Sequence, residues 1–134
     1  MVLGPAWQTW ADAAKAYWEH QGAESKAARL FALLWGLASV NGYNPQITSV
    51  WRDPKRQQEL LDRWNAGERR GFIGKPADPS KSKHTRTSFW GRPSALAMDM
   101  PSNNIPAVDR IAKELGLGVG SAFRSPDPGH YYVR

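Results

Sequence analysis

The chain holds three histidines, His20, His84 and His130, and no cysteine. Disulfides and thiolate metal sites are excluded, so any metal must be held by His, Asp or Glu. Two histidines and one carboxylate make a catalytic zinc site when a fourth position stays open for water. His84 sits in a basic stretch, Lys81-Ser82-Lys83-His84-Thr85-Arg86, and His130 in Asp127-Pro128-Gly129-His130-Tyr131-Tyr132. Asp99 is the natural third ligand. It ends the apolar run 95–98, where a charge has no packing reason to be and needs a partner. Asp99 suits a cap on the turn into Pro101 equally well. Asp127 lies three residues before His130, close enough to flank a metal and act on its water. Pro126-Asp127-Pro128-Gly129 also reads as a plain turn. The two readings are compatible, since the prolines would fix the carboxylate in place. Arg52 follows an expected strand and precedes a helix start. A guanidinium there can fork a carboxylate across a cleft, and a plain surface arginine fits as well. His20 ends an amphipathic stretch beside Glu19 and reads as a solvated helix-end residue.

The elements that must position these residues are legible as periodicity. Trp7, Trp10, Ala11, Ala14, Tyr17 and Trp18 recur at the spacing of one helical face. A second helix starts near Glu24, runs through Leu37 and is ended by Gly42. Its wide apolar face predicts the central buried helix. Residues 47–51, Ile-Thr-Ser-Val-Trp, predict a short strand. Asp53-Pro54 starts a helix whose inward face is Leu60, Leu61 and Trp64, and Gly67 stops it. Residues 67–93 show no periodicity and hold Gly71, Gly74, Pro76, Pro79, Gly91 and Pro93, the pattern of a functional or disordered loop. Residues 95–100 read as a strand, 104–115 as a helix, and 117–123 and 129–133 as short strands. The order α α β α loop β α β β predicts an α+β fold with a small antiparallel sheet. A length of 134 residues predicts one domain, 1–134, with most of the seven tryptophans in core and groove packing.

Charge narrows the partners. The net charge is +6, and seven basic residues against Asp78 alone give residues 69–92 that same +6. The long loop therefore carries the attraction for a polyanion: nucleic acid, cell-wall polymer or membrane surface. No apolar run approaches the roughly 20 residues of a spanning helix. The first residues lack a basic region and a continuous apolar stretch, so no signal peptide is expected and synthesis in the cytoplasm is.

Taken in order, Ser49-Val50-Trp51-Arg52 with Gln58, then Ser82-x-His84, then Ala97-x-Asp99, then Asp127-x-x-His130 resemble the M15 family of zinc peptidases. These are D-alanyl-D-alanine carboxypeptidases and dipeptidases and the L-alanyl-D-glutamate endopeptidases of phage lysins. The resemblance spans about residues 35–134 and implies the hedgehog/DD-peptidase type of fold. Position by position it implies one Zn²⁺ per chain on His84, Asp99 and His130, with Asp127 as general base. Arg52 would hold a substrate carboxylate or the developing oxyanion. Ser82 and Gln58 would contact the substrate. The implied substrate is a peptidoglycan stem peptide. The charge of residues 69–92 would draw anionic wall polymer to it, and a monomer is expected. The enzyme would reach the wall after phage-mediated release or as part of a virion. One departure stands out. Residues 85–98 separate His84 from Asp99, about eight more than the family's Ser-x-His-x-x-Gly-x-Ala-x-Asp. The surplus carries Phe89 and Trp90, which would form a lip on the groove if the chain makes an excursion and returns. Two other readings stay open: a non-catalytic phage structural or wall-binding relative of the fold, and a basic nucleic-acid-binding domain. Against the second, the loop has few aromatics and no recognition motif.

Overall fold

The computed structural model describes residues 2–72 and 74–134, so Ile73 of the long loop lies outside the described residues. Helix α1 (Pro5–His20) opens on a proline, which needs no amide partner in the first turn. Helix α2 (Ser25–Val40) is capped by Glu24, whose carboxylate accepts from the amides of Lys26 and Ala27. It buries nine residues, Phe31, Leu33 and Leu34 among them, and is the central helix that its wide apolar face predicts. Helix α3 (Pro54–Asn65) starts on an Asp53 cap bonded to Lys55 N. In helix α4 (Ile105–Glu114) the Asn104 side chain accepts from Ala107 N, and Val108 and Ala112 point into the core.

Three strands complete the α+β fold: β1 (Ala97–Asp99), β2 (Leu117–Val119) and β3 (His130–Val133). Their order is β1-β3-β2, with both neighbours antiparallel to β3. The register pairs Asp99 with His130 and Met98 with Tyr131. Met98 and Tyr131 are fully buried against α2, and Trp18 donates its indole N–H to the Met98 sulfur at 3.2 Å. Strand alternation then carries the Asp99–His130 pair to the opposite face. The register thus places one carboxylate and one imidazole side by side.

Two expectations need correcting. Residues 47–51 do not form a strand; only Ser49 makes a bridge, to Asp99. The segment is an extended strap bonded through Thr48 N to Asp99 O and through Asp99 N to Ser49 O. It is boxed between the left-handed Asn44 (φ +46°) with Pro45 and the Asp53-Pro54 helix start, which leaves too little chain for a ladder. The expected strand 117–123 stops at Val119, and Gly120–Ala122 turns as a 3₁₀ helix. Among the described residues, no helix is long and apolar enough to cross a membrane.

Candidate metal centre

His84 reaches the sheet by way of the loop. Its carbonyl accepts from Arg52 N at 2.8 Å, and the neighbouring Lys83 carbonyl accepts from Leu96 N at 3.0 Å. The surplus after His84 folds as a narrow hairpin: Ser94 N bonds Arg86 O, Thr87 bridges Pro93, and Ser88 N bonds Arg92 O. The chain therefore leaves and returns, and His84 meets Asp99 despite the extra residues. Phe89 and Trp90 cap the hairpin tip, 92% and 82% exposed and packed edge-on against each other.

The His84 ring is buried and its orientation is fixed. Nδ1 donates to the Val50 carbonyl at 2.6 Å, which fixes the ring and aims Nε2 at the cluster. Nε2 lies 3.3 Å from Asp99 Oδ1 and 3.3 Å from His130 Nδ1, and the last two atoms lie 2.9 Å apart. One ligand atom each from His84, Asp99 and His130 falls within 4.8 Å of the others, so the three can hold a metal ion. Burial opposes ionisation of Asp99. The hydrogen bonds and positive charge of His130 and His84 nevertheless hold its carboxyl well below the usual carboxylate range. In comparisons with known proteins, the chain matches no family model and no curated protein.

The other expected site residues fall at graded distances. Asp127 Oδ2 is 3.7 Å from His130 Nδ1, and Arg52 Nη2 is 3.8 Å from Asp99 Oδ2. Both border the cluster from side chains that stay partly open to solvent. Burial pushes the Asp127 carboxyl above its ordinary value; the Asp99 charge adds to this, while His130, His84 and Arg52 oppose it. Ser82 accepts from the His84 amide at 3.2 Å, so it shapes the ligand loop from inside. Gln58 is not brought to the site: it is exposed and bonds Asp62 one turn along α3. Its neighbour Gln57 is there instead, 2% exposed, accepting from Arg52 Nη1 at 2.7 Å and donating to the Ala77 carbonyl at 2.8 Å. Helical spacing carried the signal, since Gln57 lies four residues before the inward Leu61 and Gln58 four before the exposed Asp62. Ser49 is the other unanticipated contact, accepting from Arg52 Nη2 at 3.3 Å. A guanidinium has five N–H donors, so these two bonds anchor Arg52 and leave donors for a ligand.

The position of Asp127 depends on a glycine. The Gly120 carbonyl accepts from Asp127 N at 2.9 Å, and the two backbones lie in direct contact. A Cβ on Gly120 would overlap the Asp127 carbonyl oxygen and come within 2.8 Å of His130 Cβ. Backbone cannot swing aside as a side chain can, so Gly120→Ala must displace the 127–130 turn. The expected cost is about 1–3 kcal/mol, seen as a lower Tm than wild type. An unchanged Tm would mean that the turn does not rest on Gly120.

Proposed function

We propose that this chain is a zinc-dependent peptidase that cleaves peptidoglycan stem peptides, in the manner of a phage or prophage lysin. The observation that carries this reading is the convergence of His84, Asp99 and His130 from three separated segments. Asp127 borders the cluster at His130 and Arg52 borders it at Asp99. Two imidazoles and one carboxylate are the donor set of catalytic zinc. Tetrahedral ligands at about 2.0–2.1 Å from zinc stand about 3.3 Å apart. The separations of 3.3, 3.3 and 2.9 Å suit that size of ion.

Zinc bound there would lower the pKa of a coordinated water toward neutrality and polarise the substrate carbonyl. The chain's own groups supply the remaining steps. Asp127 accepts a proton from the attacking water and passes it to the leaving amine. Arg52, anchored by Gln57 and Ser49, offers its remaining N–H donors to a substrate carboxylate or to the developing oxyanion. Ser82 holds the His84 amide and keeps its own O–H available for the substrate backbone. Digestion of purified peptidoglycan with and without added zinc, followed by mass analysis of the fragments, tests the reading. Zinc-dependent release of stem peptides is expected. Zinc binding without cleavage would instead favour a non-catalytic relative.

The basic loop acts on substrate capture in this reading. Arg69 is already engaged, stacked 3.7 Å over the Trp64 ring and bonded to two carbonyls. Lys83 bonds the Val133 carbonyl, and Arg86 bonds Ser94. Arg70, Lys75 and Arg92 are exposed, and among the described residues they make no ion pair. Neutralising these three should slow lysis of intact walls by up to about tenfold at low salt. At physiological salt, where exposed charges are screened over a Debye length of roughly 8 Å, it should leave turnover of a short soluble peptide unchanged. Equal loss on both substrates would place the loop inside the active site.

A further inference from the structure

A second concavity lies on the helical side of the molecule, where α1 and α2 meet the strap. It is a groove of about 820 Å³, within the roughly 300–1,000 Å³ typical of small-ligand clefts. Trp18, 3% exposed, forms its floor, and Trp10, Trp35 and Tyr17 form its walls. The Trp10 and Trp35 rings lie nearly parallel, 6.4 Å apart at 12°. Gly36 makes this packing possible, since a Cβ there would meet the Trp10 ring at 2.8 Å and the Trp7 ring at 2.9 Å. Core packing explains Trp18. It does not explain two indoles, Trp10 and Trp35, left partly exposed beside a 52% exposed tyrosine.

The rim is polar and neutral. Gln46 Nε2 donates to Asn44 Oδ1 at 3.1 Å, so each amide orients the other. One amide N–H pair and one amide oxygen remain without partners among the described residues, and Ser39 adds a hydroxyl. Among the described residues, no Asp, Glu, Lys, Arg or His lines the groove. That combination selects its occupant. A nucleotide or acidic polymer needs cations, which are absent here and concentrated instead on residues 69–92. A lipid tail or an amphipathic helix would leave the rim amides unpaired on binding, at a desolvation cost. A pyranose ring fits both parts: its C–H face lies on the negative face of an aromatic ring, and its hydroxyls exchange hydrogen bonds with amides.

We infer that this groove binds neutral sugar rings of a glycan chain, as a site separate from the metal centre. The two are joined by one strap: Gln46 N bonds Pro101 O, and Thr48 N bonds Asp99 O. The groove rim thus sits opposite a residue only two positions from a metal ligand. If the stem-peptide reading holds, the sugar that carries the stem would lie in the groove while its peptide reaches the metal. The sugar site itself does not depend on that reading.

The test is titration of the full-length protein with the tetramer of N-acetylglucosamine, followed by tryptophan fluorescence and calorimetry. Saturable binding with a change in tryptophan emission is expected. The double variant Tyr17→Ala/Gln46→Ala changes two exposed side chains and should fold, as far-UV circular dichroism would verify. It should bind the tetramer at least about tenfold more weakly, the sum of a lost stacking contact and a lost hydrogen bond. His130→Ala should bind it as wild type does. No saturable binding, or undiminished affinity in the double variant, overturns the inference. So does loss of binding in His130→Ala, which would put the sugar at the metal centre. Failure of wall cleavage, by contrast, would strike the peptidase reading and leave this site standing.

Discussion

His130→Ala is expected to abolish metal binding. His84 and Asp99 would remain, and two ligands hold a metal poorly when the third corner of the site is open to water. The loss should appear in two measurements. Metal content after dialysis against zinc should fall from one ion per chain to none. The thermal shift produced by zinc should disappear with it. A ligand at 100 times its Kd stabilises the native state by about 2.7 kcal/mol. For a domain of this size that is about 10 °C in Tm. The wild type should show a shift of that order and the variant essentially none. The substitution removes the contacts of His130 with Asp99 and His84 but leaves the core face of the sheet, Met98 and Tyr131, untouched, so the zinc-free variant should still fold. Full zinc retained by His130→Ala would mean that the metal sits elsewhere, and the proposed chemistry would go with it.

The helices and the grouping of His84, Asp99 and His130 were legible because each left a local mark. Glu24, Asp53 and Asn104 each cap a helix with a side-chain oxygen, and the apolar spacing of α2 and α4 matches the faces they bury, whereas the α1 face buries Ala11 and Trp18 and leaves Tyr17 exposed. The strands were harder to bound. Each has only three or four residues, so their limits are set by what they pair with and not by their own alternation. The strap at 47–51 shows the limit most clearly. Its β-branched residues predict a strand, yet the sheet on that side offers it only a bridge at Asp99. Gln57 shows a different limit. A motif fixes order and approximate spacing, whereas the helix face decides which of two adjacent glutamines turns inward. An excursion that returns was one open reading of the gap between His84 and Asp99, but nothing in the local pattern decided it. Closure depends on long-range backbone bonds, Lys83 to Leu96 and Arg86 to Ser94, which no local pattern encodes.

Asp127→Ala is expected to separate metal binding from catalysis. Asp127 stands 3.7 Å from the imidazole of His130, next to the cluster without being one of the three grouped ligands. Zinc content should therefore match the wild type. Turnover should fall at least about a hundredfold, the usual scale for removing a general base. The surroundings of the carboxylate favour that role. It is half open to solvent, so water and substrate can reach it, and burial raises its proton affinity above that of an ordinary aspartate. Its backbone is held at both ends, by the Gly120 carbonyl at its amide and by the His130 amide at its carbonyl. The side chain is therefore delivered to one place and does not sweep a wide volume. Asp127→Asn keeps the shape and the hydrogen-bonding capacity but cannot accept the proton, so it should be as inactive as the alanine variant. Metal content and turnover measured on the same samples decide the matter. If Asp127→Asn stays near wild-type activity, Asp127 serves the turn alone and another group must take the proton. If both variants lose zinc together with activity, the carboxylate belongs to the metal site itself.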